Sequence, residues 1–309
     1  MRRLRAVIFS FFLVFPPSSF AVSRPVTGSI PLSPFPNSAS GFPRLYETRQ
    51  SPSDLEIGGD LAGLPPGTTR FIARDQLLAL PQVSFTVTDD SNFTGPTKIE
   101  GVELVELISR LGASVKSDFV VAICDDKYRA NYPRAYLSAH HPVLVLKVNG
   151  KPPAGWPKDS EEHKYDMGPY MISHPKFTPS FKILSHPEES QIPWGVVRLE
   201  FRDEKTVFGA IAPVGRHSGD ADVQAGFRIA RQNCFHCHNA GSEGGQKSGF
   251  TWETLSGTAL ASPANFISYI RNPLAQNPQA QMPDNKEYDG ATLRALVAYF
   301  QTFSTQAKP

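Results

Sequence analysis

Three cysteines among 309 residues are too few for a disulfide framework, and an odd number leaves one thiol over. Two separated cysteine pairs, the usual closed ligand set of a structural zinc, are also missing. Charge of one sign is scarce: 31 Lys and Arg stand against 29 Asp and Glu, a formal net charge of +2, which leaves no basic stripe for nucleic-acid phosphates. Methionine occurs only at Met1, Met167, Met171 and Met282. Long hydrophobic runs are absent too. The run from Ala6 to Phe15 falls short of the ~20 residues that span a bilayer, and Pro16-Pro17 ends it. Preceded by Arg2, Arg3 and Arg5 and followed by Ser19-Phe20-Ala21, it reads as a signal peptide over residues 1–21. An exported, periplasmic chain with no transmembrane segment in its mature form is expected.

Against this background the pentapeptide Cys234-Phe235-His236-Cys237-His238 stands out. C-x-x-C-H is the attachment spacing of a c-type haem: two thiols can each add to a vinyl group of one porphyrin, and the adjacent imidazole can ligate its iron. A redox dithiol would want a βαβ setting, whereas these cysteines follow a helical pattern and precede a Gly-rich loop. One covalent haem c is expected on Cys234 and Cys237, with His238 as an axial ligand and His236 facing solvent or the propionates.

Composition divides the rest. Residues 22–69, rich in Pro, Ser and Gly, read as a tether or irregular wrap. Residues 70–215 mix helical and strand patterns. Residues 219–305 are helical around the motif: Val223, Gly226, Phe227 and Ala230 recur before Cys234, with Asp220 or Asp222 able to cap, and Leu293, Leu296, Val297 and Phe300 recur near the end, after Asp289 and Thr292. Between them lie Phe266-Ile267-Ser268-Tyr269-Ile270-Arg271-Asn272-Pro273 and Gln281-Met282-Pro283. In this order the motifs resemble the class I cytochromes c. The resemblance implies that Met282 is the distal iron ligand and that Gly226, Phe227, Leu296 and Tyr299 join the first and last helices. His/Met ligation fills both iron faces and favours the ferrous state, which fits electron transfer. Met167 and Met171 are the other methionines that could reach iron, if the preceding region closed over the haem. No proline follows His238, so the acceptor for its second nitrogen is left unassigned.

In the preceding region, Arg74–Leu80 and Leu104–Leu111 read as helices; Val83–Thr88, Phe119–Ile123, Val143–Val148 and Trp194–Phe201 read as strands. Here Asp75-Gln76-Leu77-Leu78-Ala79-Leu80-Pro81, Gly101-Val102-Glu103-Leu104-Val105-Glu106-Leu107, Asp125-Asp126-Lys127-Tyr128-Arg129-Ala130 and Val148-Asn149-Gly150-Lys151 resemble the molybdopterin-binding domain of the sulfite oxidase family. That family carries its molybdenum-ligating cysteine between the first two stretches. The interval Gln82 to Glu100 holds no cysteine, so the resemblance implies the fold without the metal chemistry, and molybdopterin is not expected. Cys124 is the remaining candidate thiolate; at the end of an apolar run it reads as a buried thiol, the alternative being a reactive thiol for an outside partner. His140, His141, His163, His174 and His186 could supply metal ligands but lack helical spacing, and surface or hydrogen-bonded roles are the expectation. The segment Asp166 to Pro175 concentrates soft and aromatic groups, suiting either a docking face or irregular core.

The fold expected is therefore multidomain: a mixed α/β, sulfite oxidase-like domain followed by an all-α class I cytochrome c domain. The function expected is single-electron transfer with a redox partner protein, a dehydrogenase or a terminal acceptor, and the α/β domain serving for docking. The competing reading is a molybdenum-dependent oxidoreductase that feeds electrons to its own haem. A haem sensor would need an easily lost distal ligand.

Overall fold

The Pro- and Ser-rich tract enters the fold earlier than its composition suggests. It supplies strands β1 (Leu45–Tyr46) and β2 (Leu55–Gly59), and Leu55 and Ile57 are fully buried. Tertiary pairing explains this, because β2 runs parallel to a strand distant in sequence with Ile57 opposite Leu199. The computed structural model describes residues 42–111, 118–157 and 166–304. The expected signal peptide, the start of the Pro-rich tract and His163 lie outside the described residues.

The α/β region continues with β3 (Arg70–Ile72), α1 (Arg74–Leu78), β4 (Val83–Val87), β5 (Thr97–Glu103), α2 (Leu104–Leu111), β6 (Phe119–Cys124), β7 (Arg129–Pro133), α3 (Arg134–His140), β8 (Val143–Val148) and β9 (Tyr170–Ser173). A short hairpin, β10 (Lys182–Ile183) and β11 (His186–Pro187), precedes the long β12 (Trp194–Arg202) and α4 (Glu204–Gly209). Among the described residues one curled sheet runs β1-β3-β2-β12-β9-β8-β5-β4, with β6 pairing β12 and β7. Strand β12 is the hub. Its first residues pair with β9, its later ones with β2 and β6, and an irregularity between Val196 and Arg198 lets it change partners. Helix α2 buries Leu104, Leu107 and Leu111, the i, i+3, i+7 stripe of its sequence.

Strand β6, Phe-Val-Val-Ala-Ile-Cys, has no polar alternation because both of its faces are covered. Val120, Ala122 and Cys124 enter the core of the α/β region with Tyr132, Leu199 and Phe201. Phe119, Val121 and Ile123 face the other way, onto Val207, Phe208 and Ile211 and the helices that follow. Side chains of a strand alternate between faces, so one strand is the shared wall of two cores.

Beyond α4 come α5 (Ala221–Asn233), a two-residue ladder of β13 (Asn239–Ala240) and β14 (Glu243–Gly244), then α6 (Trp252–Ala261), α7 (Pro263–Arg271), α8 (Pro273–Gln276) and α9 (Gly290–Ser304). Helices α5 and α9 cross at Gly226, where a Cβ would overlap the carbonyl of Ala295 and crowd Tyr299 Cβ. Phe227 meets Tyr299 with ring centroids 5.7 Å apart. At the start of α9 the Asp289 carboxylate accepts Thr292 N at 2.7 Å, and at α8 the Asn272 side chain accepts Ala275 N at 3.3 Å. Helix α6 was not legible as an element; Thr251 caps it, and its Trp252 is fully buried against Phe235 and Phe300.

Candidate functional site

Helix α5 delivers Cys234 at its C-terminal end, and the motif winds on as a further turn, with Cys237 N and His238 N both donating to Cys234 O at 3.3 and 3.0 Å. Phe235, fully buried, pins the turn against Phe208 and Trp252. The Gly-rich loop then folds back over the motif: Gly245 N donates to Phe235 O at 2.9 Å and Ser248 N to Cys237 O at 3.0 Å. A Cβ at Gly244 would strike His238 O and the Phe235 ring, and one at Gly245 would strike His236 O. The glycines therefore permit main chain to lie on main chain, and the loop locks the two cysteines in place. Cys234 and Cys237 are free, half-buried thiols. Burial pushes Cys234 up to about 12 and Cys237 up to about 11.

His238 is almost fully buried, and its Nδ1 stands 2.6 Å from Phe250 O. A carbonyl can only accept, so Nδ1 carries the proton and Nε2 keeps its lone pair. Phe250 O is the acceptor that the missing proline left open in the sequence. Burial also lowers the His238 pKa, in the direction of the neutral imidazole that a metal ligand must be. Met282 is half-buried and packs against the same apolar cluster as Cys234, Leu255, Ile267 and Val297. Its loop is tied down by Asn285, whose backbone and side-chain nitrogens both donate to Ile270 O at 3.2 Å. Met167 and Met171 lie instead in a separate core with Trp156 and Val145. The donor set fits a c-type haem: two adjacent thiols, a neutral imidazole with one nitrogen locked, and a thioether in the same cluster.

His236 does not face solvent, one of the two positions expected for it. It is buried, stacked on Tyr128 of the α/β region at 5.2 Å, with Nδ1 donating to Arg129 O at 2.6 Å. Burial lowers its pKa to about 4. Further ties join the two regions here. Arg129 N donates to His236 O, Gln246 N to Lys127 O, Lys247 Nζ pairs with Asp126 at 2.6 Å, and Glu243 pairs with Arg202 at 2.5 Å. Residue patterns within either region gave no sign of these contacts.

The α/β region holds its polar groups differently. Asp90 accepts from Ser173 Oγ at 2.6 Å, Tyr136 bonds His174 Nε2 at 2.9 Å, and His140 pairs with Glu188 at 3.0 Å, all buried. His186 bonds Tyr288 and Gln232, and His141 is exposed. Among the described residues no group of three or more His, Cys, Asp or Glu converges as a metal site. Tyr170–Ser173 of the soft, aromatic segment is strand β9, fully buried: it is core. Cys124 is buried on the α/β face of β6, and burial pushes its thiol far above the ordinary range.

No helix among the described residues is long and apolar enough to cross a membrane. No curated protein matches the chain. Among solved structures, the sulfane dehydrogenase SoxCD from Paracoccus pantotrophus matches with 15% identity and a TM-score of 0.34, over 51% of this chain and 40% of that one, a likeness too slight to assign the fold. Residues 221–300 match the family described as cytochrome c oxidase, cbb3-type, subunit III, and this segment of the chain is a cytochrome c domain.

Proposed function

We propose that the chain is an exported single-electron carrier that holds one haem c through thioethers at Cys234 and Cys237, with His238 and Met282 as axial ligands. The bound haem supplies a one-electron iron couple. The observation that carries this reading is the Nδ1 contact of His238 with Phe250 O directly after two free, half-buried thiols. That contact orients the ring and leaves Nε2 as the ligand atom, while the Gly244-Gly245 backbone holds the thiols beside it. With both axial positions filled by protein, no position is open for substrate, and the domain carries electrons to and from a redox partner protein, a dehydrogenase or a terminal acceptor. The sulfite oxidase-like region, without a thiolate between Gln82 and Glu100, serves as the docking body for that exchange. We place the leader at residues 1–21, with periplasmic export following from it.

The test is expression with haem-attachment and molybdenum-cofactor machinery, followed by a cofactor count. One haem per chain and no molybdenum is the expected result, and stoichiometric molybdenum overturns the carrier reading in favour of an oxidoreductase. Met282→Ala separately tests the distal ligand: the sulfur-to-iron charge-transfer band of the ferric protein should vanish and the potential fall. Persistence of the band would remove Met282 from the iron.

A further inference from the structure

The β10–β11 hairpin of the α/β region reaches across to the loop that carries Met282. Its turn residue Ser185 accepts Asp289 N at 3.0 Å and meets Thr292 Oγ1 at 2.6 Å, while Ile183 packs against the cluster shared by Cys234 and Met282. The next residue, His186, is completely buried, with Nε2 2.9 Å from Gln232 Oε1 and Nδ1 3.0 Å from Tyr288 Oη. Tyr288 Oη in turn accepts from Asn233 Nδ2.

Only one assignment of protons satisfies all of these atoms with a neutral ring. His186 Nε2–H donates to Gln232, the Tyr288 hydroxyl donates to His186 Nδ1, and Asn233 donates to the Tyr288 oxygen. Gln232 and Asn233 are the two residues before Cys234, and Tyr288 closes the loop that begins at Met282. The directed chain Asn233, Tyr288, His186, Gln232 therefore ties the attachment end of α5 to the far end of the distal loop. Tyr288 also receives Arg271 through its carbonyl, which links the same point to α7. The His186–Tyr288 bond is buried and the two bonds that flank it are partly so, and in such surroundings each lost partner costs more than at the surface.

We propose that this hairpin is a strap by which the α/β region holds the distal loop closed over the haem, with His186 as its positioning residue. The proposal rests on Met282 being the distal ligand. It gives the fused region a regulatory part in the cytochrome: whatever loosens the hairpin, a docked partner included, loosens the sulfur ligand. His186 touches neither iron nor porphyrin in this role, and it acts through Tyr288 and Gln232.

The experiment compares full-length holoprotein with its His186→Ala and His186→Gln variants, using cyanide binding to the ferric protein and the pH at which the sulfur-to-iron band is lost. Cyanide must wait for the methionine to leave, so its binding rate reports loop opening. His186→Ala should keep covalent haem on a denaturing gel, bind cyanide about tenfold faster and lose the band at lower pH, as expected for one or two lost buried hydrogen bonds. His186→Gln, which can donate to Gln232 and accept from Tyr288, should restore most of both values. Unchanged rates and band in a folded His186→Ala protein overturn the strap while leaving the Met282 assignment standing. If His186→Ala yields no soluble holoprotein, Ser185→Ala and Tyr288→Phe carry the same test, and parent-like rates in both overturn it. A parent protein without the band overturns the Met282 assignment first, and the strap with it.

Discussion

The three cysteines separate the two regions of this molecule more sharply than any difference in secondary structure. Cys124 sits at the end of a strand, on the face that enters the α/β core, with its thiol driven far from ionisation by burial. Cys234 and Cys237 sit half-buried on a turn whose backbone is clamped by a glycine loop. The polar groups follow the same division. In the α/β region Asp90, His140 and His174 are each buried against a side-chain partner, whereas His238 is held by a backbone carbonyl directly after two free thiols. An imidazole fixed by a backbone carbonyl and set beside two free thiols suits a covalent haem.

The sharpest way to break this comparison is to treat the thiols alike. Replacing Cys234 and Cys237 together by Ala should abolish covalent haem staining on a denaturing gel. Retained staining would mean that these thiols are no different in kind from Cys124. Next in size is the crossing of α5 and α9. Gly226→Val would drive methyl groups into Ala295 O and Tyr299, and a clash against backbone cannot relax by a rotamer change. A loss of about 3 kcal/mol or more is expected in urea unfolding, with haem incorporation reduced alongside. A variant as stable as the parent would show that the helices can separate without consequence.

Much of this contrast was legible in the chain itself, and what was not has a common cause. The motif spacing, the stripes on α5 and α9, and Asn272-Pro273 are local patterns, and they lie where the periodicity put them. Strands β4, β6, β8 and β12 likewise match their apolar runs to within a residue or two. Strand β2 was hidden because its support is a parallel partner far along the chain, and α6 because its stripe is weak and its anchor is one tryptophan. The burial of His236, the reach of the hairpin to Tyr288 and the Phe250 acceptor depend on which loops meet. Contacts between loops leave no period in a sequence. The double cover of β6 did leave a mark, its unbroken apolar run, but that mark does not say what covers it.

Acid should weaken both regions, since burial also lowers His236 to about 4, with the larger share falling to His174. Burial lowers His174 to about 3, against an ordinary value of 6.5. Between those values the unfolded chain binds a proton that the folded chain refuses, so stability is complete above about pH 6.5 and declines as pH falls towards about 3. By pH 4 on the order of 3 kcal/mol is at stake for a group this buried. Urea midpoints followed by far-ultraviolet circular dichroism from pH 7 to pH 4 should fall, and His174→Gln should flatten that slope. An unchanged slope in the variant would place the acid sensitivity elsewhere.

The smallest effect is the most discriminating, because it asks whether the third thiol takes any part in the chemistry. Cys124 shares its core face with Val120, Ala122, Tyr132 and Val196. Cys124→Ser keeps the shape but buries a hydroxyl in place of a weakly polar sulfur, at a cost of about 1–3 kcal/mol. Because its side chain points away from Phe119, Val121 and Ile123, the residues of β6 that face the haem helices, the charge-transfer band, the reduction potential and the haem stain should all match the parent protein. Cys124→Ala, which removes the sulfur without adding a buried hydroxyl, should cost no more than the serine variant. A spectrum or potential that moved in both variants would place Cys124 in contact with the electron path, and the division between a closed region and an open one would fail at that residue.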